Sequence, residues 1–212
     1  MDLIAWFVDL ILHLDAHLVE LLRDYGVWVY LILFVIIFAE TGLVVTPFLP
    51  GDSLLFAAGA LSAVDTSGTL SAPLVSLVLV IAAVAGNTTN YHAGRWIGPQ
   101  AFSGKYRFLK VEYLKRTEAF FAKYGSMTIV MSRFVPIIRT CAPFVAGIGR
   151  MPYARFQAYN LMGGIGWVLI CVWAGYFFGN IPLVKNNFGL VTIGIIAVSL
   201  LPVAWMALRK QE

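Results

Sequence analysis

Ser132-Arg133-Phe134-Val135-Pro136-Ile137-Ile138-Arg139-Thr140-Cys141-Ala142-Pro143-Phe144-Val145-Ala146-Gly147 sits inside a hydrophobic run, yet it carries two arginines and two prolines. An arginine at the centre of a spanning helix costs about 2.5 to 3.5 kcal/mol, so two oppose insertion by about 5 to 7 kcal/mol and need compensation. Each proline removes a backbone donor and disfavours helical geometry in the residue before it, so carbonyls near Pro136 and Pro143 lose their usual partners. In lipid such backbone survives only beside protein or water. The stretch reads as a re-entrant hairpin over about residues 126–149, shaped by Pro136, Pro143 and Gly147, lining a polar cavity with Arg133 and Arg139 facing inward. A competing reading has both arginines snorkelling to the interface from a kinked ordinary helix.

The rest of the chain agrees with a membrane setting. Its 212 residues are 60% hydrophobic and 12% charged, too little polar surface to cover a water-soluble globule. We read an all-α polytopic membrane protein forming one membrane domain over 1–212. The net charge of +4 raises nucleic acid as a partner, but eleven of the fifteen Lys and Arg residues lie between Arg95 and Arg155. That clustering beside membrane segments is what the positive-inside rule predicts, and no nucleic-acid module is recognisable. Cys141 and Cys171 lie in apolar surroundings without metal-ligand spacing and read as free, buried thiols. His13 and His17 share one helix face but lack a third ligand, so neither metal nor cofactor is expected. The start, Met1-Asp2-Leu3-Ile4, has no basic region or cleavage pattern, and the first segment is expected to be retained.

From 1 to 24, apolar residues at helical spacing predict an amphipathic helix on or capping the membrane part. A first repeat, 27–98, opens with an apolar run that meets Glu40. Pro47, Pro50, Gly51 and Asp52 then interrupt it, predicting a hairpin at about 40–61 whose charges oppose those of the second. Residues 73–98 form a long apolar span toward the inside, and 99–123, basic with interleaved aromatics, predicts cytoplasmic interfacial helix. The second repeat covers 124–180, with a span from about Phe156, and a last span covers 188–208 ahead of a cytoplasmic C-terminus carrying Arg209 and Lys210.

Leu49-Pro50 with Ala58-Gly59 matches Val135-Pro136 with Ala146-Gly147, and Ala93-Gly94 matches Ala174-Gly175. Under this topology the halves are inverted, a transporter-like arrangement whose paired broken segments point to a site near mid-membrane. There Glu40 and Asp52 meet Arg133 and Arg139, and the four neutralise one another through charge-assisted hydrogen bonds. They either hold the hairpins together or also work: the arginine forks match phosphate oxygens, and a carboxylate displaced from its cation takes up a proton. Asn87, Asn90 and Tyr91, at helical spacing on the adjoining span, either line the same cavity or bond between helices.

Glu40-Thr41-Gly42 with Phe48-Leu49-Pro50-Gly51-Asp52-Ser53, the Tyr91 to Gly98 segment, and Arg133 to Arg139 with Ala142-Pro143 and Ala146-Gly147 together resemble the DedA family of bacterial inner-membrane proteins. The resemblance runs through nearly the whole length, close to the founding type. It implies two opposed re-entrant hairpins, dependence on the proton motive force, and translocation of undecaprenyl phosphate or other phospholipids in support of envelope integrity. It implies proton coupling at Glu40 and Asp52 and headgroup binding at Arg133 and Arg139. Asn87 departs from the pattern, since many relatives carry an acid there.

The leading expectation is thus proton-coupled flipping of an anionic, phosphate-headgroup lipid in the bacterial inner membrane. The alternatives are an uncoupled scramblase or phospholipid transporter, and a proton or cation antiporter without lipid substrate. A lipid-phosphate phosphatase needs a nucleophile or base beside the arginines, and no histidine lies in their hairpin. No enzymatic activity is expected.

Overall fold

A computed structural model describes residues 26–43, 51–65, 68–98, 100, 111–178 and 181. The expected N-terminal helix over 1–24, His13, His17, Pro47, Pro50 and the last span over 188–208 lie outside the described residues. Those described form helices α1 (Val29–Gly42), α2 (Gly51–Val64), α3 (Ala72–Ile97), α4 (Val111–Tyr124), α5 (Thr128–Met131), α6 (Pro136–Ile148) and α7 (Tyr153–Phe178), with no strand among them.

Length separates these helices into two kinds. α3 and α7 have 26 residues each and are apolar, so at about 1.5 Å per residue each reaches about 39 Å, enough to cross the hydrocarbon core of about 30 Å. α1, α2 and α6, with 14, 14 and 13 residues, reach only about 20 Å. Each half therefore interrupts its hydrophobic run before one long helix.

The second interruption is visible in detail. α5 and a 3-10 turn at Ser132–Phe134 lead into Val135, whose extended backbone (φ −126°, ψ 102°) ends the first helical arm. Pro136 then occupies the first turn of α6, where its missing N–H has no helical partner to lose. Pro143, expected to break the chain as well, lies inside α6 and is tolerated there. A proline within a membrane helix persists where neighbouring helices bond the backbone around it, and Asn90 of α3 donates to the Thr140 carbonyl at 2.8 Å. In the first half α1 ends at its cap Leu43, whose backbone is extended (φ −99°, ψ 120°), and Gly51 opens α2.

The short helices cross over. α2 packs on α7 and α6 packs on α3, each against the long helix of the other half, while α1 lies along α3. Both crossings are glycine contacts at matched positions. A Cβ on Gly59 would strike the Val172 carbonyl and one on Gly175 the Phe56 carbonyl; a Cβ on Gly147 would strike the Tyr91 carbonyl and one on Gly94 the Phe144 carbonyl. Backbones in lipid approach this closely only through small residues.

The distribution of polarity is the reverse of a soluble protein's. Leu74, Leu77 and Ile81 on α3 and Leu161, Ile165 and Leu169 on α7 point outward. Glu40, Arg133, Arg139, Asn87, Asn90 and Asn160 are buried, beside an apolar core of residues such as Leu33, Ile37, Leu55, Leu79 and Val172. Lipid as the outer solvent accounts for both. α4 is amphipathic, burying Leu114 and Thr117 against α6 and exposing Lys115 and the Glu112–Arg116 pair at 2.9 Å.

Candidate functional site

Glu40 sits on the last turn of α1, Asp52 on the first turn of α2 and Arg139 on the first turn of α6, so three helix ends converge. Arg139 closes the gap: Nη2 donates to Glu40 Oε1 at 2.5 Å and Nη1 to Asp52 Oδ1 at 2.8 Å. Glu40 and Arg139 are almost wholly enclosed, while the Asp52 side chain is 20% exposed. A guanidinium fork shared between two acids satisfies the geometry that a single ammonium could not. Gly51 leaves beside it the space that the Glu40 carboxylate fills, and a Cβ there would have to displace that carboxylate.

Arg133 is placed differently. It is 1% exposed and has no acid bonded to it: Nη2 donates to Asn160 Oδ1 at 2.8 Å, and Nε and Nη1 have no hydrogen-bond partner. Of the two arginines, Arg139 bonds both acids and Arg133 bonds an amide, which differs from the expected mutual neutralisation of all four. The reason is positional, since Arg133 lies on the other side of the Val135 break from Arg139 and is turned toward α7.

α7 supplies two residues that the sequence reading passed over. Trp167 donates through Nε1 to Asp52 Oδ1 at 2.7 Å and has both guanidiniums against its ring, Arg139 at 5.1 Å and Arg133 at 5.7 Å from the centroid. Asn160, fully buried, accepts from Arg133 and from Asn87 Nδ2 at 3.0 Å. An amide in mid-span and a tryptophan away from the interfacial belt were the available signals.

Asn87, Asn90 and Tyr91 bond between helices. Asn90 donates to the carbonyls of Thr41 at 3.3 Å and Thr140 at 2.8 Å, tying α1 to α6 beside Glu40 and Arg139. Tyr91 donates to the Met151 carbonyl at 2.5 Å and stacks on Phe156. Asn87 reaches Arg133 only through Asn160, and its Oδ1 is buried without a partner. Of the shaping residues, Gly51, Pro136, Pro143 and Gly147 lie on α2 and α6 as described. His92 packs on Tyr91 and Tyr153. Among the described residues no group of three or more His, Cys, Asp or Glu could hold a metal, and Cys141 and Cys171 are free thiols.

The VTT domain matches residues 49–177. Protein DedA of Escherichia coli strain K12 is 53% identical over 203 residues, 95% of this chain and 92% of its own. An uncharacterized membrane protein of Mycobacterium tuberculosis strain H37Rv is 46% identical over 180 residues, 82% of this chain and 77% of its own. Inner membrane protein YqjA of Escherichia coli strain K12 is 39% identical over 155 residues, 73% and 69% of the two chains. No solved structure matches. A domain match spanning both halves, joined to identity this extensive, makes the chain a member of the DedA family of membrane proteins.

Proposed function

We propose that this protein carries a lipid with a phosphate headgroup, undecaprenyl phosphate in the first instance, across the bacterial inner membrane at the expense of a proton gradient. One observation carries the reading: a buried Glu40–Arg139–Asp52 triad built from both halves, with a second buried guanidinium, Arg133, holding unused N–H donors beside it. Two acids and two arginines sum to no formal charge. A phosphate entering at Arg133 would make the enclosed group anionic, which a low-dielectric site opposes strongly. Binding a proton at Glu40 or Asp52 restores the balance. Arg139, released from that acid, then adds its fork to the phosphate.

In this reading the short helices are arms of re-entrant hairpins in inverted repeats, with the C-terminus cytoplasmic. The short lengths of α1, α2 and α6 and the matched glycine crossings support it. The test uses purified protein in liposomes with labelled undecaprenyl phosphate. Leaflet exchange should follow an imposed pH gradient and fall to background in Arg133→Gln and Asp52→Asn. Exchange indifferent to the gradient would instead describe a scramblase, and proton flux without lipid movement an antiporter.

A further inference from the structure

Arg133 is not isolated from the surface. Asn160, its partner, donates through Nδ2 to Gln157 Oε1 at 3.2 Å, and Gln157 donates through Nε2 to Tyr153 OH at 2.7 Å and to Thr88 Oγ1 on α3 at 2.7 Å. Tyr153, Gln157 and Asn160 fall at i, i+4 and i+7, so they form one stripe down α7 covering about 10 Å of its axis. Exposure falls along it, from 45% at Tyr153, through half-buried Gln157, to none at Asn160. At the outer end stand His92 against Tyr153, and Arg95, whose Nη1 lies 3.4 Å from the Tyr91 hydroxyl; Arg155 is exposed two residues beyond Tyr153. At the inner end Gly163 and Gly164 bring α7 close against Arg133: a Cβ on the first would stand 3.1 Å from Val130 Cα and 3.4 Å from Arg133 Nε, and on the second 3.0 Å from Val84 Cγ2 and 3.3 Å from Arg133 Nη2.

We propose that this seam between α3 and α7, lined by Thr88, Tyr153, Gln157 and Asn160, is the route by which a phosphate headgroup passes between the basic end of the molecule and Arg133. The proposal rests on the reading of Arg133 as a headgroup-binding residue. The seam ends at a guanidinium that keeps its charge, so it is unsuited to relaying protons and suited to receiving an anion. It offers side chains that both donate and accept, which can release one another and solvate phosphate oxygens in turn. The outward face of the same helix is Leu161, Ile165 and Leu169, where acyl or prenyl chains can remain in lipid while the headgroup moves inside.

The test is thiol accessibility in full-length protein reconstituted in liposomes. Thr88→Cys and Gln157→Cys are compared with Leu161→Cys on the lipid face, with the unsubstituted protein as baseline for Cys141 and Cys171. An ethylsulfonate methanethiosulfonate should modify the two seam positions at least about tenfold faster than Leu161→Cys, because a positive site focuses anions. Arg133→Gln should slow it at both by about tenfold, equivalent to ~1.4 kcal/mol, while the trimethylammonium analogue gains. Gln157→Glu, similar in size and still able to bond, should slow the anionic reagent at Thr88→Cys.

Dodecyl phosphate should protect both positions and inorganic phosphate should protect them less; equal or better protection by inorganic phosphate overturns the lipid route. Seam positions no more reactive than Leu161→Cys overturn it outright, even if lipid exchange proceeds. Protected, Arg133-dependent labelling in a protein that moves no undecaprenyl phosphate leaves the seam standing and removes the proposed transport.

Discussion

Arg139 and Arg133 are both buried, but removing them leaves different things behind. Without Arg139, Glu40 and Asp52 each lose a bonded guanidinium, and stripping one partner from a buried pair costs about 3–5 kcal/mol. Without Arg133 no carboxylate is orphaned, and Asn160 Oδ1 still accepts from Asn87, so a loss of about 1–3 kcal/mol is expected. Unfolding of purified Arg139→Ala and Arg133→Ala in mixed micelles should therefore separate the two variants by a clear margin, and equal losses would contradict the division. Gly51→Ala belongs with the first: its Cβ displaces the Glu40 carboxylate, costing about 1–3 kcal/mol on the same assay. Glu40, Asp52 and Arg139 could be picked out of the sequence because a charge in an apolar run has few explanations other than a partner. Asn160 and Trp167 carried a weaker signal, since a lone amide or indole in a span is usually packing or belt.

Among the helices, proline and glycine do work that their spacing only half reveals. Pro136 and Pro143 look alike in the sequence, yet one follows the break at Val135 and the other lies within α6, where Asn90 bonds the nearby Thr140 carbonyl. That Ala58-Gly59, Ala93-Gly94, Ala146-Gly147 and Ala174-Gly175 mark close helix contacts was legible in the sequence. Their pairing across halves was not, since a small residue announces a close approach without naming what approaches. The contacts now rank the glycines. Alanine at 59, 94, 147 or 175 forces a Cβ into backbone and should destabilise by about 1–3 kcal/mol at each site. Gly166 has nothing within 4 Å of such a Cβ, so Gly166→Ala should be neutral or stabilising by about 0.5–1 kcal/mol. Detergent-induced unfolding of the five single variants checks the ranking, and a costly Gly166→Ala would show that the crossings are not what the glycines serve.

At the scale of the molecule, the two halves are exchanged rather than placed side by side. α2 lies on α7 and α6 on α3, and the ion triad joins α1 and α2 to α6, so neither half completes its own interior. In a membrane, separated helices are not driven together by water, and association depends on packing and polar bonds of just this kind. Half the molecule alone would face lipid without the two ion pairs that join Arg139 to Glu40 and Asp52 across the halves. A chain divided genetically between residues 100 and 111, with both pieces expressed together, should accordingly yield fragments that copurify in mild detergent. Each piece expressed singly should be degraded. Arg139→Ala in the C-terminal piece should weaken the copurification, because it removes both ion pairs that bridge the cut. Fragments that accumulate stably and apart would mean that each half folds on its own, and the crossed packing would then be a late docking rather than what forms the site.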